Sequence, residues 1–369
     1  MNILKSILDL FPIFDHKHYG KSPSVLFVLK KRDVAWGHDT RYSHHSSGLL
    51  NSATFINDML RDSCIRSGIV EVIDGNDIDR EVFKFNPDIV IIEAVWCPPS
   101  KVRELAHLHH HRHRKWIIRN HSELPFLAME GIALEWLLEY PTIKNTFIAC
   151  NSPVAIADVA TLAKARRGVS EDKVVLLTNY YPIPKFVDYT PKPFWDSTID
   201  ISCFGAIRPL KNHVEQATAA IMFANSIGLK LRFHVNSTRI EGKGDPILKS
   251  LRGMFDGDQY KLVEHGWLDR KEFLELCSTM NIGLQVSFSE TFNIVGADHV
   301  SVGVPIVGSN EIPWLDDEFQ ASPTVASDIA EKIGHALHHG AEKQVDSLAE
   351  YNKHTKRIWM HQLHTVYTK

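Results

Sequence analysis

The chain has 369 residues, of which 44% are hydrophobic and 23% charged, and its formal net charge is −3. This length exceeds that of a typical single domain and favours two domains, while the weak net charge excludes a global basic field that would recruit nucleic acid. No apolar run is long enough to cross a bilayer. The five cysteines contain no C-x-x-C pair, so we expect reduced core thiols in a cytoplasmic protein.

The first half of the chain alternates short apolar runs with helical patterns, which is typical of doubly wound α/β domains. The first apolar run is preceded by an amphipathic segment, residues 1–14. It is followed by a histidine-rich loop, residues 30–48. Buried strands are predicted at 24–29, 70–73, 88–94, 115–119, 146–150 and 174–177, and helices at 50–60, near 80 and at 153–167. Gly48 precedes the first of these helices, where a glycine turn and free N–H groups favour a phosphate, although a simple helix-start turn explains it equally well.

Residues 101–114 contain the run HLHHHRHR. A solvated helix face is the favoured interpretation, and histidines four residues apart also have metal-ligand spacing. A patch of Arg112, Arg114 and Lys115 that binds phosphate or nucleic acid is the alternative. The D-x-D matches at 77–79 and 256–258 are interpreted as solvated turns, so no metal site is expected.

A proline-rich segment that lacks apolar periodicity, residues 182–199, predicts a linker between domains 1–181 and 200–341. The second domain has predicted strands at 200–204, 231–235, 260–267, 282–286 and 304–307, and predicted helices at 269–279, 295–302 and 327–339. A last helix within 342–369 is expected to cross back to the first domain.

Two polar turns follow apolar strands of the second half. Gly205 opens a turn that carries Arg208 and Lys211, and a glycine with two cations before a helix suits an anion. Glu290 follows another strand, eight residues before Asp298, so both carboxylates can reach one ligand. Backbone N–H groups at the start of the next helix would add an anion site, and they belong to Thr291, Phe292 and Asn293.

The stretch from Glu290 to Val307 resembles the retaining glycosyltransferases of the GT-B fold, family-four type. Their Glu-x7-Glu motif is matched by Glu290 and Asp298, and their G-x-P-V-V strand by the residues from Gly303 to Val307. The resemblance implies two Rossmann-like domains that face a central cleft. It also implies that Glu290 binds sugar hydroxyls and Asp298 the ribose of a donor.

Other segments extend the resemblance across most of the chain. Lys211 falls on the lysine of a G-R-L-x-x-x-K-G motif, and Arg208 is a nearby substitute for its arginine. His121 follows a strand at the position where relatives place a histidine toward the sugar. The catalytic residues implied are Glu290, His121, Lys211 and Arg208, and the donor-binding residues are Gly48, Asn179, Gly205, Thr291, Phe292, Asn293 and Asp298.

The resemblance implies a retaining glycosyltransferase that takes a nucleotide-diphosphate sugar, with UDP favoured over GDP, and that requires no cofactor or metal. The acceptor stays open among a glycan, a small molecule and a DNA base, and the oligomeric state is also open. One alternative is the same chemistry on hydroxymethylated phage DNA, which would require access to a base. The others are a sugar-nucleotide epimerase and a non-catalytic nucleotide-sugar-binding protein.

Overall fold

The protein is represented by a computed structural model that describes residues 22–31, 48–190, 192–194 and 196–369. The amphipathic segment and most of the histidine-rich loop lie outside these residues. The described residues form two compact units. The N-terminal unit ends at Tyr181 and includes Asn352–Lys369, and the C-terminal unit is Pro182–Tyr351. Among the described residues, no helix combines the length and hydropathy that a membrane span requires.

The N-terminal unit is built on a six-stranded parallel sheet with the order β2-β1-β3-β4-β5-β6. Its strands are β1 Val25–Lys30, β2 Ser67–Val72, β3 Ile89–Glu93, β4 Lys115–Asn120, β5 Thr146–Cys150 and β6 Val174–Leu176. Its helices are α1 Gly48–Asp62, α2 Asp77–Phe85, α3 Pro99–His107, α4 Leu124–Leu127, α5 Ala133–Glu139 and α6 Pro153–Arg167. The predicted strands and helices of this half are present, whereas α4 and α5 were not predicted.

Apolar runs form these strands because the sheet is covered on both faces. Alternate residues of β1 enter opposite core clusters: Leu26 and Val28 join one, while Phe27 and Leu29 join the other. The second cluster is completed by Trp359 of the last helix, whose indole Nε1 donates to the Thr178 carbonyl at 2.8 Å.

The C-terminal unit is built on a five-stranded parallel sheet with the order β11-β10-β7-β8-β9. Its strands are β7 Thr198–Ser202, β8 Lys230–Asn236, β9 Tyr260–His265, β10 Ile282–Gln285 and β11 Ile306–Gly308. Its helices are α7 His213–Ser226, α8 Asp245–Met254, α9 Arg270–Ser278, α10 Ile294–Ser301 and α11 Ala326–His339, followed by α12 Glu342–Thr368, which continues into the N-terminal unit.

Each sheet has a point at which the strand order reverses, between β1 and β3 in one and between β7 and β10 in the other. Ligands of open α/β sheets bind outside the carboxyl ends of the strands at such a point. Lys211 and Glu290 follow β7 and β10, and Glu93 ends β3. Strand order therefore places these residues where each unit can bind a ligand.

The predicted solvated helix at 101–114 is wrong beyond its first half. Helix α3 ends at His107, and His111 and Arg114 are buried. The Arg114 guanidinium donates to the Pro87 carbonyl and, at 2.8 Å, to the Asn86 side-chain oxygen, so the buried charge has hydrogen-bond partners. Arg114 is thus a structural residue, and the predicted basic patch loses one of its three members.

Gly303 shows why the strand motif at 303–307 needs its glycine. The residue has φ +81°, and a Cβ there would lie 1.7 Å from the Asp188 backbone oxygen. Any side chain would therefore combine a left-handed conformation with a clash against the main chain. The glycine allows the linker to pack directly on the turn before β11.

Candidate functional site

The loops after β7 and β10 are bound to each other by backbone and amide hydrogen bonds. The Phe288 N–H donates to the Leu210 carbonyl at 2.9 Å, and Asn212 Nδ2 donates to the Val286 carbonyl at 3.0 Å. The Val286 N–H in turn donates to Gln216 Oε1 at 2.8 Å. Because these bonds fix both loops, the side chains that project from them have defined positions.

Lys211 and Glu290 are paired where these loops meet. The Lys211 ammonium donates to Glu290 Oε2, and each side chain is 12% exposed. Asn293 Nδ2 donates to the same oxygen at 3.2 Å, and the Thr291 N–H donates to Oε1 at 3.2 Å. The expectation of a free Thr291 N–H is therefore not met, since the Glu290 carboxylate already occupies it. The arrangement is a preorganised cation and carboxylate at the edge of the sheet.

The electrostatics keep Glu290 ionised. Burial would raise the pKa of Glu290, but the Lys211 charge and hydrogen bond, with a smaller contribution from Arg208, bring that pKa below its ordinary value. The pKa of the nearby Glu311 is raised, mainly by burial. The hydrogen bond from the Glu290 backbone N–H lowers this pKa, whereas the Glu290 charge raises it. Two carboxyl groups therefore lie close together with pKa values shifted in opposite directions, which is common at functional sites.

Arg208, on the loop after β7, is held by a glutamate of the same unit. Its Nη1 is 3.3 Å from Glu241 Oε2, and Glu241 Oε1 binds Arg239 Nε at 2.6 Å. Arg239 also lies 4.9 Å from the Trp267 ring centroid, within cation–π range. Glu241, on the loop after β8, thus holds the guanidinium groups of Arg208 and Arg239, and the Arg208 charge contributes to the lowered pKa of Glu290.

Asp298 is separated from Glu290 by the first turns of α10. Its side chain is buried, and Oδ1 is 2.8 Å from Arg270 Nη1 at the start of α9. The structure therefore pairs the second carboxylate of the E-x7-D pattern with an arginine that the sequence did not single out. Its predicted ribose contact remains a prediction.

The remaining predicted donor-binding residues of this unit support the loops. The Gly205 N–H donates to Asn236 Oδ1 at 2.9 Å, and Gly205 has φ +118°, a value that favours glycine. Phe292 is buried, and its carbonyl accepts a bond from Trp314 Nε1 at 2.6 Å. Asn293 caps α10 by accepting from the Gly296 N–H at 2.7 Å.

The N-terminal unit has its own charged cluster at the carboxyl ends of β3 and β4. Glu93 and Arg119 are fully buried, with Arg119 Nη1 3.2 Å from Glu93 Oε1, and His121 Nε2 binds Glu93 Oε2. Burial would raise the pKa of Glu93, but Arg119 and then His121 lower it overall, whereas burial and Arg119 lower the pKa of His121. His121 is therefore neutral at pH 7, with the proton on Nε2 directed at the carboxylate.

Asn179 joins this cluster from the end of β6. Its Oδ1 accepts from Arg119 Nη2 and, at 3.0 Å, from Ser52 Oγ on α1. Gly48 is the first residue of the same helix, and a Cβ there would meet nothing within 4 Å. The structure thus brings His121 and Asn179 into one network and places Gly48 at the start of a helix that contacts it.

Several residues of these sites were missed from the sequence. Glu93 and Arg119 end apolar strands that are consecutive in the chain, and their register pairs them directly. A charge at the end of each apolar run was the signal that could have identified them. The others gave no comparable signal, because each acts through a contact distant in sequence: Glu241, Arg270 and Glu311.

His213, at the start of α7, provides a test of the electrostatics around Lys211. Neither of its ring nitrogens has a hydrogen-bond partner among the described residues. Burial, then the charges of Lys211 and Arg208, lower the pKa of His213 to about 3. The pKa of a histidine in the unfolded chain is about 6.5, so below that pH the unfolded chain binds a proton at His213 and the folded chain does not. Stability contributed by this group is present above about pH 6.5 and is lost toward pH 3, by at most about 1.4 kcal/mol per pH unit.

We therefore expect His213→Leu to reduce the fall in Tm between pH 7 and pH 5. At pH 7 the variant should be at least as stable as the wild type, since an unsatisfied buried polar group costs about 1–3 kcal/mol. Thermal unfolding of both proteins at the two pH values measures this. An identical loss of Tm in both proteins would show that His213 does not remain neutral in the folded state.

Comparisons with known proteins agree with this architecture. No protein-family model and no curated protein matches the sequence. Among solved structures, a UDP-forming α,α-trehalose-phosphate synthase from Burkholderia xenovorans superposes with a TM-score of 0.59 at 12% identity, covering 94% of this chain and 99% of that one. Anabaena HepE in complex with UDP gives a TM-score of 0.58 at 11% sequence identity, covering 92% of this chain and 97% of that one. An E. coli trehalose-6-phosphate structure bound with UDP-2-fluoro glucose gives a TM-score of 0.58 at 10% sequence identity, covering 92% of this chain and 99% of that one. The chain has the GT-B fold, and the resemblance seen in the sequence is confirmed at the level of the fold.

Proposed function

We propose that this chain is a retaining glycosyltransferase that moves a sugar from a nucleotide-diphosphate sugar to a hydroxyl acceptor. The observation that carries the proposal is the Lys211–Glu290 pair at the point where the strand order of the C-terminal sheet reverses. A lone carboxylate would repel a diphosphate, and a lone lysine would not orient a sugar. The two together suit a ligand that carries both phosphate and hydroxyl groups.

The chemistry assigned to these residues follows the charge that develops during transfer. When the bond from the anomeric carbon to the diphosphate breaks, its electron pair leaves with the phosphate oxygen. Lys211 and Arg208 would stabilise that charge, with the amide N–H groups of Phe292 and Asn293 and those of the Gly48 helix start. Glu290 would accept bonds from donor sugar hydroxyls. The acceptor oxygen then bonds to the anomeric carbon, and its proton passes to the leaving diphosphate.

His121 is proposed to act on the donor sugar as a neutral hydrogen-bonding group. The Glu93 carboxylate fixes its Nε2 proton, and Asn151 Nδ2 lies 3.5 Å from its other nitrogen. Such a fixed ring can position a hydroxyl without taking a full positive charge. Asn179 supports the same cluster through Arg119.

UDP is the proposed donor nucleotide because the solved structures with this fold named above are described with UDP or UDP-2-fluoro glucose. Incubation with UDP-glucose and a set of hydroxyl acceptors should release UDP only when an acceptor is present, and EDTA should leave the rate unchanged. An epimer formed from donor alone would instead favour the epimerase. Binding of UDP with no turnover of any UDP-sugar or GDP-sugar would contradict an enzymatic role.

Asp298 is proposed to accept bonds from the ribose, with Arg270 holding its carboxylate. We expect the wild type to bind UDP about tenfold more tightly than 2′,3′-dideoxy-UDP, since bonds to charged groups contribute about 1.5–3 kcal/mol. In Asp298→Ala the two ligands should bind equally. Calorimetric titration of both ligands gives the comparison, and Arg270→Met, which removes the ion pair but keeps the Asp298 carboxylate, controls for loss of the pair itself. A preference for UDP that survives in Asp298→Ala would remove the ribose role.

A further inference from the structure

A group of two histidines and one glutamate, residue types that can ligate a metal ion, lies in the C-terminal unit, outside the site described above. Glu318 belongs to the short turn Asp317–Phe319 after β11, and His335 and His339 lie one helical turn apart on α11. One ligand atom from each residue can be chosen so that all three lie within 4.8 Å of one another. The three ligand atoms are therefore close enough to converge on one ion.

The scaffold that holds these residues is fixed independently of the side chains themselves. Phe319, the last residue of the turn, is fully buried, and its ring centroid is 5.5 Å from that of His335. Lys332 Nζ donates to the Glu318 backbone carbonyl at 2.7 Å. The His335 and His339 rings are 4.3 Å apart between centroids, as residues i and i+4 of a helix allow. Little rearrangement is needed to bring the ligand atoms to one ion.

The contacts of Glu318 also suit ligation. Its Oε2 lies 3.1 Å from His335 Nε2, and its Oε1 lies 3.3 Å from Lys343 Nζ. An ion bound at Oε2 can thus leave Lys343 on the other oxygen. His335 Nδ1 has no hydrogen-bond partner among the described residues, so the ring proton can move there when Nε2 binds an ion.

We propose that Glu318, His335 and His339 bind a divalent transition-metal ion of the zinc type. Two imidazole nitrogens and one carboxylate oxygen are ligands that Zn²⁺ prefers, whereas Mg²⁺ and Ca²⁺ prefer oxygen ligands alone. The side chains of Glu318 and His335 are 36% and 33% exposed, so water can complete the coordination. A bound ion would tie the loop after β11 to α11. This inference does not depend on the proposed glycosyltransferase activity.

A similar cluster in the N-terminal unit provides an internal contrast. Asp79 Oδ1 lies 2.7 Å from His110 Nε2 and 2.9 Å from His111 Nε2. However, Arg114 Nε donates to His111 Nδ1 at 3.1 Å, so that nitrogen must carry the lone pair and Nε2 the proton. Ligation through Nε2 would place a second N–H against the Arg114 N–H. The buried arginine therefore keeps His111 in the tautomer that cannot bind an ion through Nε2.

The test is titration of Zn²⁺ and of Mg²⁺ into the untagged full chain after EDTA treatment, by calorimetry and by thermal unfolding. We expect Zn²⁺ to bind and to raise Tm by mass action, and Mg²⁺ to do neither. The substitutions Glu318→Gln, His335→Ala and His339→Ala should each lower Zn²⁺ affinity by more than about tenfold. Because these side chains are partly exposed, the metal-free Tm of each variant should match the wild type.

His338→Ala is the matched control, since this neighbouring exposed histidine is outside the cluster. It should leave Zn²⁺ affinity unchanged, as should His110→Ala in the other cluster. Equal Zn²⁺ binding by the wild type and by the variant with both His335→Ala and His339→Ala would overturn the proposal. So would loss of binding in His110→Ala with retention in His335→Ala, because the ion would then occupy the N-terminal cluster.

Discussion

Lys211→Met is expected to lower kcat/KM for the nucleotide-sugar donor by about 10²–10³-fold, and Glu290→Gln by a similar factor. In the proposed function, Lys211 would supply a fixed positive charge for the leaving diphosphate, and Glu290, which is paired with Lys211, would hold both that charge and the donor sugar. Both side chains are only 12% exposed, so solvent cannot replace either function. Rates of UDP release at subsaturating donor measure the effect. The double variant should lose little more than either single variant, because residues that act as a unit are not additive.

Lys271→Met is the matched control for this experiment. Lys271 also pairs with a glutamate of the C-terminal unit, at 3.8 Å from Glu275, but the two side chains are 86% and 66% exposed. Its removal should leave kcat/KM and Tm unchanged. If Lys211→Met and Glu290→Gln fold with a normal Tm and retain wild-type turnover, the proposed mechanism fails. Loss of turnover with unchanged UDP affinity would instead indicate that Lys211 and Glu290 contact the donor sugar and not the diphosphate.

Glu93→Ala is expected to destabilise the N-terminal unit by about 3–5 kcal/mol, because the Arg119 charge would be left buried and unpaired. Arg119 is fully buried, so bulk solvent cannot replace the carboxylate, although its other donors bind the Leu177 and Thr178 carbonyls. Thermal and urea unfolding of the variant measure the loss. Tryptophan fluorescence is a suitable probe, since Arg119 lies 5.2 Å from the ring centroid of Trp359.

The double variant Glu93→Leu with Arg119→Met separates an unpaired charge from lost packing. Replacing a whole buried ion pair by apolar residues of similar size is often neutral in stability, so the double variant should recover most of the loss. Glu171→Ala, which removes the exposed pair with Lys164, should leave Tm unchanged. A double variant that is as unstable as Glu93→Ala would show that packing, and not the isolated charge, dominates. In both variants His121 should lose the carboxylate that holds its proton on Nε2.

Local sequence patterns were sufficient for the strands and most of the helices. Runs such as residues 89–93 and 282–285 are apolar because parallel strands are covered on both faces, and helix α6 was predicted with the bounds that the structure has. Lys211 and Glu290 could be related to each other because each follows such a run. The carboxyl ends of parallel strands meet at one edge, whatever the order of the strands.

The amino-acid sequence by itself therefore determined the alternation of strands and helices, the two polar turns and their carboxyl-end position. Only the tertiary structure decided that β7 lies beside β10, that Arg270 pairs with Asp298, and that Arg114 at the end of the run HLHHHRHR is buried. The physical reason is the range of the interactions. Hydrophobic periodicity is written in neighbouring residues, whereas strand order, ion pairing and the burial of a charge depend on contacts between residues far apart in the chain.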